Sequence, residues 1–170
     1  MATLPDLRIG SYVAAGIVAA VAVVAAIRSW PDESPRVAQA VAIAGRLATA
    51  SPGEKQADHA GQADELAAAP ATAIVPCLAA FGSATPAGAN WLRHGLDRAA
   101  DRLGPALKPA ALERFVRDAA QPARARTLAF SWLRARDARR ADALLEKLLD
   151  DPAPDLRRAA VDKILVSAEG

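Results

Sequence analysis

The stretch DDPAPDLRRAAV, residues 150–161, decides the fold. Its two aspartates precede Pro154, and Asp side chains bond the free backbone N–H groups of a turn while proline suits the first turn of a helix. Ala160, Val161, Ile164 and Leu165 then recur at the spacing of one helix face. The stretch therefore predicts a turn followed by a helix with these four residues inward.

A second copy of this pattern lies 32 residues earlier. At that offset, four residues are identical: Asp118 aligns with Asp150, Pro122 with Pro154, Arg126 with Arg158 and Leu133 with Leu165. An offset of 36 aligns Pro86 with Pro122 and indicates an older copy over residues 70–103. One helix pair cannot bury its apolar faces alone, so such periods indicate stacked pairs. We predict an all-α fold, a right-handed α-solenoid of about three stacked antiparallel helix pairs.

Composition agrees with helices, because Ala dominates, aromatic residues make up 4% and strand-like alternation is absent. Helix starts are predicted at Pro35, Pro70, Pro86, Pro109 and Pro122, at Asp137 and at Pro154. Residues 51–64 are the most polar part and are predicted to be a linker. The expected domains are residues 1–30, a helical segment with this linker over 31–68, and a repeat domain over 69–170.

Residues 150–161 resemble the turn and second helix of short, PBS-lyase-type HEAT-like repeats, which read D-x-x-P-x-[VL]-R-x-x-A-[AV]. Residues 118–133 are a weaker copy, with Arg124 where an aliphatic residue is usual. The resemblance covers roughly residues 70–167 and implies a scaffold or interaction role. More loosely, Asn90, Trp91, Leu92 and Arg93 are similar to exported bacterial HEAT-repeat proteins.

The first segment is hydrophobic on every face, because residues 12–27 contain no charged group and Arg8 and Arg28 flank them. A membrane span needs about 20 apolar residues, whereas the core of a signal peptide needs about 7 to 15. We predict a signal peptide or a membrane anchor here, and hence an exported or membrane-anchored protein. The alternative is a buried first helix in a cytoplasmic protein. Trp30 would be a membrane-interface residue in the first case and a local packing group in the second.

Positive charge is concentrated in the middle of the chain. Residues 93–140 carry 12 Lys/Arg against 5 Asp/Glu, a net +7, within a chain of net charge +2. Arginine suits bidentate capture of carboxylate or phosphate. The candidate partner-binding residues are Arg124, Arg134, Arg136, Arg139 and Arg140. A solvated set of helix faces is the alternative interpretation.

No other residue set carries a recognisable chemistry. His59, His94 and the single Cys77 lie at no metal-ligand spacing, and Cys77 sits in an apolar stretch that favours a buried thiol over a nucleophile served by His94. Trp91 and Trp132 fall on apolar stripes and are predicted to be core residues. We expect no cofactor, no metal and no catalytic residue.

Three functions follow from these features. The first is a non-catalytic protein–protein interaction scaffold that offers residues 124–140 to an acidic protein partner. The second is a nucleic-acid-binding helical repeat that uses the basic stretch 93–140, and the third is an accessory factor of the HEAT-like lyase type. Because the last helix is rich in Leu and Val without a polar cap after it, we also hypothesise a truncated or partner-completed array.

Overall fold

The computed structural model describes residues 35–53 and 55–168. These form eight α-helices and no strand, which confirms the all-α prediction for this part of the chain. The segment over residues 12–27, Trp30 and the signal or anchor predicted there lie outside the described residues. Among the helices that are described, none is long and apolar enough to cross a membrane.

The helices run α1 Pro35–Ala48, α2 Gln56–Ala67, α3 Ala71–Leu78, α4 Pro86–Leu103, α5 Pro109–Arg117, α6 Ala123–Arg136, α7 Ala138–Leu145 and α8 Pro154–Ala168. Two 3₁₀ turns, Ala79–Ser83 and Gly104–Ala106, follow α3 and α4. Helix starts match the expected signals. Thr85 accepts a hydrogen bond from the Gly88 N–H at 2.9 Å, and Asp137 accepts one from the Arg140 N–H at 3.0 Å.

Consecutive helices pack as pairs: α1 with α2, α3 with α4, α5 with α6 and α7 with α8. Further contacts join α1 to α3, α2 to α4, α5 to α7 and α6 to α7. One continuous apolar core extends from Val37 in α1 to Ala160 in α8. The described residues therefore form one unit, and α1 and α2 share the core of the later helices.

The linker predicted over residues 51–64 is wrong for most of its length, because α2 begins at Gln56. This helix is polar, but its Ala63, Leu66 and Ala67 are buried. It packs against α4 at Gly95, where a Cβ atom would approach the Ala63 carbonyl oxygen to 2.9 Å. Helix α2 has no apolar stripe, so it lies in the core because the glycine at position 95 lets α4 approach it closely.

A second close approach joins α4 to the end of α1. A Cβ atom on Gly88 would overlap the backbone of Leu47 and Ala48, so only glycine fits there. Thr85 anchors the same junction, since its backbone N–H donates to the Ala48 oxygen at 2.9 Å and its hydroxyl donates to the Ala50 oxygen at 2.5 Å. The start of α4 is therefore fixed against the first helix.

The inward face predicted for the last helix is partly wrong. Leu156 and Ala160 are buried, whereas Val161, Ile164 and Leu165 are 45%, 50% and 56% exposed. All residues from 161 to 168 are exposed, because the buried residues of α8 lie in its first half and Lys163 reaches Asp142 of α7 through a surface ion pair of 2.9 Å. Ala119 and Leu149, which the helical spacing of the preceding helices predicts to face inward, are exposed as well.

Candidate functional site

The structure separates the five arginines that the sequence singled out. Arg136 is partly buried and donates to the backbone oxygens of Ala100, Gly104 and Trp132. It thus satisfies carbonyl groups at the end of α4, where helix carbonyls lack intrahelical partners. This side chain serves the fold, since all three of its nitrogens donate to backbone oxygens of the protein.

Arg140 is likewise engaged within the protein. It pairs with Glu113 at 2.8 Å and with Asp137 at 3.2 Å. The hydrogen bond to Glu113 raises the Arg140 pKa, and the Arg140 backbone N–H lowers the pKa of Asp137. This ion-pair network joins the start of α7 to α5.

Arg124, Arg134 and Arg139 are exposed. None of the three has a hydrogen-bond or ion-pair partner among the described residues. Arg124 lies in the first turn of α6, Arg134 in its last turn and Arg139 near the start of α7. These side chains are available to an external anion, and Arg124 is separated from the other two by the length of α6.

Arg124 lines a surface groove, which we call the α4–α6 groove, of about 400 Å³. Its apolar lining residues are Phe81, Pro86, Ala89 and Leu128, of which the buried Ala89 and Leu128 form its floor. The polar residues at its rim are Asn90, Arg93, Arg124, Thr127, Ser131 and Asp155. Arg93 faces solvent, with its side chain 68% exposed; its Nε forms an ion pair with Asp97 at 3.4 Å, and its two terminal nitrogens have no partner among the described residues. The groove combines two available guanidinium groups with a floor that can take an apolar side chain.

Sequence reasoning missed Arg93 as a member of this site. The sequence placed Arg93 in the basic stretch and in the resemblance over residues 90–93, but it did not join Arg93 to Arg124, because the two lie 31 positions apart. Their proximity depends on how α4 and α6 pack, which no local pattern encodes. The sequence did contain one indication of the site, because Asn90 and Arg93 lie three residues apart and therefore share the polar side of α4.

Sequence reasoning also missed the largest buried polar contact. Arg126 is 1% exposed and pairs with the two carboxylate oxygens of Asp151, whose side chain is 7% exposed. Its Nε also donates to the Val116 oxygen at 2.7 Å, and Asp151 accepts from the Ala153 N–H at 2.8 Å. Burial raises the Asp151 pKa, but the bonds from Arg126 and Ala153 outweigh it and keep that pKa low.

The two histidines that the sequence placed in separate segments both contact Trp91. The ring centroids of His59 and His94 lie 6.1 Å and 6.4 Å from that of Trp91. Trp91 is partly buried, and Trp132 is buried with its indole N–H donating to Asp97 at 2.8 Å. Within residues 35–53 and 55–168, no group of His, Cys, Asp and Glu is placed to hold a metal ion.

Cys77 is buried, as predicted. Desolvation raises the pKa of its thiol to about 12, so at neutral pH the sulfur is a thiol and not the reactive thiolate. A nucleophilic role served by His94 is therefore incompatible with its surroundings.

Comparison with known proteins supplies no further assignment. No protein-family model matches the chain, and no curated protein or solved structure matches it either.

Proposed function

We propose that this chain is a non-catalytic protein–protein interaction scaffold built of HEAT-like helix pairs. In this proposal the pairs stack as a right-handed α-solenoid. The order of helix contacts supports stacking, because α1 contacts α3, α2 contacts α4 and α5 contacts α7. Recurring polar contacts support it as well. Arg102 in α4 donates to carbonyls at the end of α2, and Arg136, 34 residues later, does the same for α4.

The proposed binding site is the α4–α6 groove, and its ligand is a partner segment that carries acidic residues beside an apolar one. The observation that carries this proposal is the pairing of Arg93 and Arg124 over an apolar floor. Guanidinium groups bind carboxylates with two parallel hydrogen bonds, and the floor adds burial of an apolar side chain. Asp155 on the same rim disfavours a uniformly anionic ligand such as a nucleic-acid backbone.

Fluorescence anisotropy with defined peptides tests this function. The probe is a labelled peptide that alternates Glu and Leu, and the reference peptide alternates Lys and Leu. Wild-type protein should bind the acidic peptide selectively. The double variant Arg93→Glu, Arg124→Glu should bind at least about tenfold more weakly, since each lost charged hydrogen bond contributes on the order of 1.5 kcal/mol.

The matched control is Arg134→Glu, Arg139→Glu, which changes the net charge by the same amount outside the groove. Equal losses in both double variants would contradict a groove-specific site. Salt-sensitive binding of duplex DNA that depends on the same arginines would favour the nucleic-acid function instead. Export or membrane anchoring through residues 12–27 stays a prediction, and the mature N-terminus of the protein from its native host tests it.

A further inference from the structure

Helix α8 has a wide apolar face, and the rest of the chain buries only one edge of it. Successive helix residues lie about 100° apart, so Leu156, Ala160, Ile164, Ala168, Val161 and Leu165 follow one another around about 180° of the helix. Arg157 lies within this span at the first turn, where its side chain donates to the Asp151 backbone oxygen. Only Leu156 and Ala160, at one edge of this arc, are buried. The other four residues, the open arc, face solvent.

The equivalent positions in α6 show what kind of contact such an arc forms. At the 32-residue offset, Trp132 aligns with Ile164 and Leu133 with Leu165. Trp132 is 6% exposed and Leu133 is fully buried, because α5 and α7 both pack on α6. Helix α8 packs mainly on α7, and every residue from 161 to 168 is exposed, although Lys163 forms an ion pair with Asp142 of α7 at 2.9 Å. The open arc therefore has the chemistry of a helix–helix interface.

We infer that the open arc of α8 packs against the same arc of a second copy of this chain, forming a two-fold symmetric homodimer. An isologous contact requires a surface that complements itself, and two antiparallel helices with Val161 opposite Leu165 of the other copy meet this requirement. Each face consists of four partly exposed side chains, so the interface lies below the roughly 1,000 Å² that a stable specific interface buries. The dimer is accordingly weak and reversible.

Charge complementarity favours the antiparallel arrangement. Pairing Val161 with Leu165 of the other copy places Arg158 beside the last turn of the opposite α8. The carboxyl end of a helix carries partial negative charge, which attracts a cation. Arg158 is available for this contact, since its side chain is 75% exposed and its ion pair with Asp155 is long, at 4.0 Å.

Sedimentation equilibrium on the full chain tests the dimer, and α8 offers a matched pair of variants. Val161 lies within the open arc, whereas Val166 is 71% exposed and lies on the opposite side of the helix. Val161→Glu places two like charges in the interface and should raise the dimer dissociation constant at least about tenfold. Val166→Glu should leave it unchanged. Arg158→Glu should raise it about two- to fivefold, with an effect that fades at high salt.

Circular dichroism and thermal melting of each variant verify that the monomer is folded. We expect it to be, because the substituted residues are exposed in the monomer. A wild-type chain that stays monomeric up to about 1 mM, above the range in which interfaces of this size associate, overturns the inference and assigns the arc to a helix of another protein. A dimer that Val161→Glu does not weaken overturns it too, because the copies then associate through another surface. These results are independent of peptide binding in the α4–α6 groove.

Discussion

Replacing Arg126 by Met should destabilise the protein more than any surface substitution. Arg126 and Asp151 form a buried ion pair, with side chains 1% and 7% exposed. Removal of the arginine leaves the Asp151 carboxylate buried with the Ala153 N–H as its remaining backbone donor, and it strips the Val116 carbonyl of the Arg126 Nε–H. Breaking one side of a buried pair costs about 3–5 kcal/mol, which lowers the melting temperature of a unit of this size by about 10 to 15 °C.

The double variant Arg126→Met, Asp151→Asn measures how much of the lost unfolding free energy comes from the buried, unpaired Asp151 carboxylate. Asparagine retains an oxygen for the Ala153 N–H but carries no charge, so most of the lost stability should return. About 1–2 kcal/mol should stay lost, because the Val116 carbonyl has no donor in either variant. Urea unfolding followed by circular dichroism measures all three proteins.

The difference in unfolding free energy between wild type and Arg126→Met should also depend on pH. In the wild type the Asp151 pKa is lowered, so its stabilising contribution is present above the carboxyl pKa of the unfolded chain and is lost as the pH falls through the folded value. Without Arg126, burial raises that pKa, and acidification relieves the stranded charge by protonation. The stability difference between wild type and Arg126→Met should therefore shrink between pH 7 and about pH 4. A loss below about 1 kcal/mol, or a double variant no more stable than the single one, would refute the reasoning.

Three further outcomes follow from the packing. Gly88→Ala should lower the unfolding free energy by at least about 1–3 kcal/mol, since the new methyl group overlaps the carbonyl oxygens at the end of α1. Gly45→Ala, in the middle of α1 with no atom within 4 Å of the added Cβ, should raise it by about 0.5–1 kcal/mol, so equal effects in a urea titration would contradict the geometry. Cys77 should react with a thiol reagent only as fast as the protein opens, because its thiol is buried and has a pKa of about 12. Fast labelling under native conditions would contradict the burial.

Helix boundaries could be predicted from the sequence where capping chemistry is local. Thr85 with Pro86 and Asp137 each mark a helix start that depends on residues at most three positions away. Helix α2 could not be predicted, because its sequence QADHAGQADELA contains one large apolar residue and no stripe. Its helical state depends on contact with Gly95 in another helix, and tertiary contact overrides weak local preference.

The candidate site shows the same limit. Arg126 occupies the first position of an i, i+3, i+4, i+7 stripe with Ala129, Phe130 and Leu133, so a buried arginine was deducible from helical spacing. Its partner was not, since Asp150 and Asp151 are adjacent in sequence. The repeat alignment pairs Asp118 with Asp150. In the structure Asp118 accepts from the N–H two residues ahead, as Asp151 does, so Asp151 is the equivalent residue.

The second helices of the four pairs are α2, α4, α6 and α8. The polar contacts between consecutive members of this series explain why α8 differs from α4 and α6. In α4, Arg98 pairs with Asp64 of α2, and 34 residues later Trp132 in α6 donates to Asp97 of α4. At the 32-residue offset of the last two repeats, the next position in this series is Ile164, whose side chain can donate no hydrogen bond to α6. The series of donors that hold each second helix to its predecessor therefore stops at α6. The same part of α8 carries the open arc, so the residues that earlier helices use for contact within the chain are replaced here by residues suited to contact with another helix.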